Sequence, residues 1–89
     1  MTRYRIEVRP GVERWFRKLR DERLKVRLTE AMARLADNPR PVGALKLHGA
    51  EARYRLRVGD YRIIYEIHDR LLVVLIVDVA DRKDVYRRN

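Results

Sequence analysis

An 89-residue chain with no cysteine is one small domain without a disulfide framework, and its two histidines cannot complete a four-ligand zinc site without carboxylate help. Its 22 Lys+Arg against 13 Asp+Glu leave a charge of +9, while 46% hydrophobic residues exclude a disordered basic tail. Such an excess on a folded domain suits a polyanionic partner, or only a soluble basic surface, and does not separate RNA from DNA or an acidic protein.

In chain order, Tyr4, Ile6 and Val8 alternate with Arg3, Arg5, Glu7 and Arg9, the period of a half-exposed strand. After Pro10-Gly11, the spacing of Val12, Trp15, Phe16 and Leu19 puts four apolar side chains on one helical face. A second stripe, Leu24, Leu28, Ala31, Met32 and Leu35, predicts another helix, capped by Asp21 and stopped by Asn38-Pro39. The stretch from Pro39 to Glu51 reads as a connecting loop anchored by Leu45 and Leu47.

The period then changes to two. Tyr54, Leu56 and Val58 alternate with Arg53, Arg55 and Arg57, and beyond Gly59-Asp60 the residues Tyr61, Ile63, Tyr65 and Ile67 alternate with Arg62, Ile64 and Glu66. Gly at the first loop position suits a II′ hairpin. The run Leu71 to Val79 is apolar on both faces and predicts an interior strand. The expected fold class is α+β, in the order β-α-α-β-β-β, with a mostly antiparallel sheet and an N-terminal helical hairpin packed on one face. We expect a single domain over residues 1–89. The segment MTRYRIEVRP lacks the apolar stretch of a signal peptide, and Leu71 to Val77 is too short to span a bilayer, so a cytoplasmic protein with no membrane partner is expected.

The hairpin register carries the functional argument. If Gly59-Asp60 is the loop, Val58 pairs with Tyr61, Arg57 with Arg62, Leu56 with Ile63, Arg55 with Ile64 and Arg53 with Glu66. Arg53, Arg55, Arg57 and Arg62 then share one face, opposite Tyr54, Leu56, Val58, Ile63 and Tyr65. Like charges directly opposite one another are destabilising by roughly 0.2–1 kcal/mol, so folding alone gives no reason for facing Arg57 with Arg62. Two permanently charged forks side by side suit a phosphate. The plainer alternative is a solvated basic strand whose arginines splay apart, with Glu66 relieving part of the repulsion. The tail adds Arg82, Lys83, Arg87 and Arg88 with Tyr86, which either stacks on a base or shares a proton with a phosphate, or else packs beside Val85. His48 and His68 have no periodic relation and are expected to serve surface or loop packing.

The segments Tyr54-Arg55-Leu56-Arg57-Val58-Gly59-Asp60-Tyr61-Arg62-Ile63-Ile64-Tyr65 and Arg82-Lys83-Asp84-Val85-Tyr86, with the Leu45-Lys46-Leu47-His48-Gly49 loop, resemble the signature of the RelE/ParE toxin superfamily, RelE-like branch. The resemblance spans nearly the whole chain and implies a RelE-like, microbial-RNase-like fold. It implies the toxin of a type II toxin-antitoxin system: a ribosome-dependent endoribonuclease that cuts mRNA in the A site by metal-free 2′-hydroxyl attack, with no cofactor. Carried onto matching positions, Arg57, Arg62, Arg82 and Tyr86 are the implied catalytic residues. Arg53, Arg55, Lys46, Lys83 and Arg87 are the implied RNA-binding residues. The implied partners are an acidic antitoxin, the ribosome and mRNA, with operator DNA reached only through the antitoxin.

Two departures stand out. Arginine occupies strand positions where the family commonly has lysine, and Ala80-Asp81 replaces the usual glycine and basic or histidine residue before Arg82. Because arginine stays protonated, it stabilises developing charge and is a poor general base. The base is open among Lys83, Tyr86 and Asp81. The competing readings are a ParE-like inhibitor of DNA gyrase, which has no need of convergent phosphate donors, and a degenerate toxin that only binds its antitoxin.

Overall fold

The computed structural model describes residues 3–49 and 52–81. Its elements are β1 (Arg5–Val8), α1 (Pro10–Lys18), α2 (Glu22–Asp37), β2 (Leu45–Lys46), β3 (Arg53–Val58), β4 (Tyr61–His68) and β5 (Val73–Asp81). They form a five-stranded sheet in the order β1-β5-β4-β3-β2, with β1 parallel to β5 and every other pair antiparallel. The α+β class and the mostly antiparallel sheet are as the sequence predicts.

Both helices follow their stripes. Pro10 opens α1, where a missing N–H costs nothing. The Asp21 carboxylate caps α2 by accepting from the Leu24 amide at 3.1 Å. At the other end the Asn38 side chain turns the chain by accepting from the Arg40 amide at 3.1 Å. The helices bury Val12, Leu28, Ala31, Met32 and Leu35 against Val58, Ile63, Tyr65, Val74, Ile76 and Val79 of the sheet. Six core side chains, from Tyr65 to Val74, are completely or almost completely buried. At about 25 cal/mol per Å² of apolar surface removed from water, this single apolar layer is the main term holding helices to sheet. Among the described residues no helix is long and apolar enough to cross a membrane.

β5 lies between β1 and β4, as an apolar run on both faces requires. A register shift opposite Ile64 and Tyr65, which pair with Asp78 and Ile76, leaves Val77 as the extra residue of a bulge. The bulge keeps Ile76 and Val79 both on the helix side despite their odd spacing, and it puts Asp78 on the other face.

Three expectations need correction. The Pro39–Glu51 stretch contains a short edge strand, β2, because Leu45 and Lys46 pair with Arg55 and Tyr54. Leu45 is 52% exposed and anchors nothing. The interior strand begins at Val73, two residues later than the apolar run, since the tight turn after β4 consumes Leu71 and Leu72. Leu72 has φ 53, the left-handed region, and both leucines are exposed. Loop geometry has overridden hydrophobicity there.

What does anchor the connection after α2 is a polar clamp. Arg40 reaches Asp69 in the β4–β5 turn at 2.8 Å, and Tyr4 donates to the same carboxylate at 2.6 Å. Arg40 also donates to the Tyr54 hydroxyl at 3.3 Å and lies over its ring. The buried Tyr65 hydroxyl donates to the Pro39 carbonyl at 2.8 Å, and burial pushes its pKa up to about 12. The Arg40 guanidinium, then Tyr4, hold the Asp69 carboxyl down from 3.8 to about 2. A depressed carboxylate contributes stability above its unfolded pKa and loses it as pH falls through the folded value. Asp69→Asn is therefore expected to lower the urea midpoint at neutral pH and to flatten its fall between pH 3.8 and about 2. Parallel acid profiles for the two proteins would show that the clamp contributes nothing.

Candidate RNA-binding site

The hairpin that joins β3 to β4 sets the site. Gly59 has φ +60, and among described non-glycine residues only Leu72 has positive φ, so Asp60 does not; this is the II′ pattern. The register that follows is the predicted one, with Val58 opposite Tyr61, Arg57 opposite Arg62, Arg55 opposite Ile64 and Arg53 opposite Glu66. In a two-residue hairpin Val58 and Tyr61 form the hydrogen-bonded pair. Arg57 and Arg62 then form the close, non-hydrogen-bonded kind, with Cα atoms about 4.5 Å apart. Val58, Ile63 and Tyr65 are buried beneath the helices, while Arg57 is exposed and Arg55 and Arg62 are half-buried on the opposite face.

The four strand arginines are not equivalent. Arg53 donates to Glu66 at 2.7 Å, and Glu66 is also 3.0 Å from His68 Nε2. The hydrogen bond from Arg53, helped by His68, holds the Glu66 carboxyl below its usual range. Arg53 is thus largely neutralised, and its buried Nε makes no hydrogen bond. Arg55, Arg57 and Arg62 make no ion pair with any described residue. Arg57 uses only Nε, donating to the Gly59 carbonyl at 3.1 Å, and this tethers the guanidinium to the hairpin turn. The basic cluster therefore concentrates at the hairpin end of the sheet.

Other residues named from the sequence fall differently. Lys46 pairs with Tyr54, so the register sets it on the helix side of the sheet, and its neighbour Leu45 is the residue that shares the face of Arg55. Arg82, Lys83, Tyr86 and Arg87 lie outside the described residues. Asp81 is the last described residue of β5 and stands opposite Tyr61 at the hairpin end. His48 is exposed in its loop. His68 does lie on the arginine face, where the alternation along β4 puts it, and Glu66 orients it. It is six positions along β4 from Arg62, about 20 Å at ~3.3 Å per residue, too far to act on a phosphate held by Arg57 and Arg62.

This framework of sheet and helices has known counterparts. The model of a family described as "ParE toxin of type II toxin-antitoxin system, parDE" matches residues 6–86. The chain belongs to the RelE/ParE family of type II toxins. A putative RelE-like toxin protein of Escherichia coli is 28% identical over 88 residues, which cover 94% of this toxin and 90% of that protein. The crystal structure of the archaeal RelE–RelB complex from Pyrococcus horikoshii includes a chain 30% identical to it, with a TM-score of 0.77 over 92% of this chain and 97% of that one. The RelBE2 toxin–antitoxin complex from Mycobacterium tuberculosis gives 26% identity and a TM-score of 0.77 over 92% of this toxin and 94% of its counterpart. The toxin thus shares its α+β architecture with toxins whose structures include their antitoxins.

Proposed function

We propose that this toxin cuts mRNA on the ribosome. The observation that carries the reading is the Arg57–Arg62 pair, two arginines directly opposite one another across the β3–β4 hairpin with no ion-pair partner among the described residues. Such a pair binds a phosphodiester and stabilises the extra negative charge that develops when it is attacked. The 2′-hydroxyl oxygen forms a bond to the adjacent phosphorus, the bond from phosphorus to the 5′-oxygen breaks, and the products are a cyclic 2′,3′-phosphate and a 5′-hydroxyl. One proton leaves the 2′-hydroxyl and one reaches the departing 5′-oxygen. Arginine cannot take the first of these because it never gives up its own proton. Arg57 and Arg62 act as electrostatic stabilisers and Arg55 positions the strand, while the family resemblance assigns the remaining catalytic roles to Arg82 and Tyr86, outside the described residues. The reaction uses no metal.

The same reading supplies a partner. An acidic antitoxin covers the arginine face and keeps the free toxin in check, in the cytoplasm where ribosomes are. Primer extension on cellular mRNA after brief expression is expected to show cuts within translated regions. Co-expression of the neighbouring gene's acidic product is expected to abolish them. The match to a family described as ParE favours one other reading, inhibition of DNA gyrase. Intact message in cells whose purified toxin blocks gyrase supercoiling would establish that reading instead.

A further inference from the structure

The positive charge does not stop at the sheet. A cleft of about 440 Å³ opens between α2 and the outer edge of β3, and Arg27, Arg34 and Arg57 line it, with Glu30 as the carboxylate among its lining residues. Arg27 and Arg34 are seven positions apart, two turns on one face of α2 and about 10 Å along its axis. Both are exposed and neither makes an ion pair with a described residue. The Arg27 guanidinium is packed against the hairpin turn: a Cβ built on Gly59 would lie 3.0 to 3.4 Å from its Nη and Cζ atoms. From the other side of that turn, Arg57 Nε holds the Gly59 carbonyl at 3.1 Å. The turn is therefore flanked by two guanidiniums, one belonging to the sheet face and one to the helix.

We propose that Arg27 and Arg34 continue the phosphate-binding surface of Arg62 and Arg57 around the hairpin tip, forming a track for the backbone of a single RNA strand beyond the scissile phosphate. The inference rests on the RNA-cleaving reading and extends it to residues outside the sheet. Continuity decides for RNA: Arg57 is shared by both surfaces, and along the path from Arg62 through Arg57 to Arg27 and Arg34 four arginines outnumber two carboxylates, Asp60 in the turn and Glu30 between the α2 pair. Planar guanidinium forks spaced along a groove suit successive phosphates, and Gly59 keeps the tip low enough for a backbone to pass over it.

The test is binding of a fluorescein-labelled, 2′-O-methylated oligouridine, which cannot be cleaved, to the purified toxin across a salt series. Arg27→Ala with Arg34→Ala is compared with Arg14→Ala with Lys18→Ala, which removes two exposed charges from α1. Each cation withdrawn from a phosphate flattens the dependence of log K on log salt by about 0.7 for a single strand, so the α2 pair is expected to reduce the slope by about 1.4 and the α1 pair by nearly nothing. Arg34→Ala alone, which leaves the turn untouched, is expected to reduce it by about half as much. Equal slopes for the two double variants, meaning a diffuse charge effect, would overturn the track. So would wild-type binding by the α2 variant combined with loss of the acidic antitoxin, which would assign the cleft to protein. Failure of the wild type to bind the probe also overturns it, whereas a wild type that binds the probe yet cuts no message overturns only the cleavage reading.

Discussion

Arg62→Ala and Arg57→Ala are each expected to cut mRNA at least about tenfold more slowly than the wild type, while unfolding at the same temperature or slightly higher. A charge-assisted hydrogen bond to phosphate contributes roughly 1.5–3 kcal/mol, and losing one at the transition state accounts for a drop of that size. Stability moves the other way because directly opposed like charges cost roughly 0.2–1 kcal/mol in a sheet, and either substitution removes that repulsion. Arg62 is the cleaner test. Arg57 also donates to the Gly59 carbonyl, and losing that bond offsets part of the gain. Lysine at position 62 keeps the charge but not the fork, so intermediate activity is expected. The measurements are thermal melts and quantified primer extension on the same preparations. Unchanged cleavage in both alanine variants would remove the arginine pair from the site.

The hairpin was readable from the sequence because its physics is local: Gly59 fixes a two-residue turn, the turn fixes the register, and strict alternation fixes the faces. The helices were readable for a similar reason, each carrying one apolar stripe and α2 carrying a cap at Asp21. Features set by tertiary partners were not. Leu45 and Lys46 become strand only because the outer edge of β3 offers backbone groups to pair with, and two residues are too few to show a period. Leu71 and Leu72 look like the start of an interior strand, yet the length of the preceding turn leaves them outside it. Arg40 and Asp69 are twenty-nine positions apart, and nothing local marks them as partners. Arg27 and Arg34 look like the solvated side of an amphipathic helix until the hairpin turn is seen against Arg27. The facing of Arg53 by Glu66, by contrast, was legible in the hairpin register, and the 2.7 Å contact between them sets Arg53 apart from Arg55 and Arg57. Of the implied site, the described residues bring Arg55, Arg57 and Arg62 together at the hairpin end and leave Lys46 on the other side.

The largest effect is expected from the ribosome itself. The described arginines can hold and polarise a phosphate, but none can accept a proton, and His68 is about 20 Å along β4 from Arg62. A site of this kind gains little from proton transfer and depends on having the 2′-hydroxyl already in line with the bond to be broken. Correct alignment of reacting groups can supply ~7–11 kcal/mol of a barrier. A message threaded through a ribosome is presented in a constrained path, whereas the same RNA free in solution samples many unproductive geometries. Cleavage of a programmed message on purified ribosomes is therefore expected to exceed cleavage of the free message by at least about a hundredfold, ~3 kcal/mol of that range. The fragments should accept label directly from polynucleotide kinase at their 5′-hydroxyls, and the opposing ends should carry cyclic or 3′-phosphate. Rates should survive EDTA once ribosome integrity has been verified by sedimentation. Equal rates on free and ribosome-bound message would mean that the toxin aligns its substrate unaided, and a proton acceptor would then have to stand beside Arg57 and Arg62.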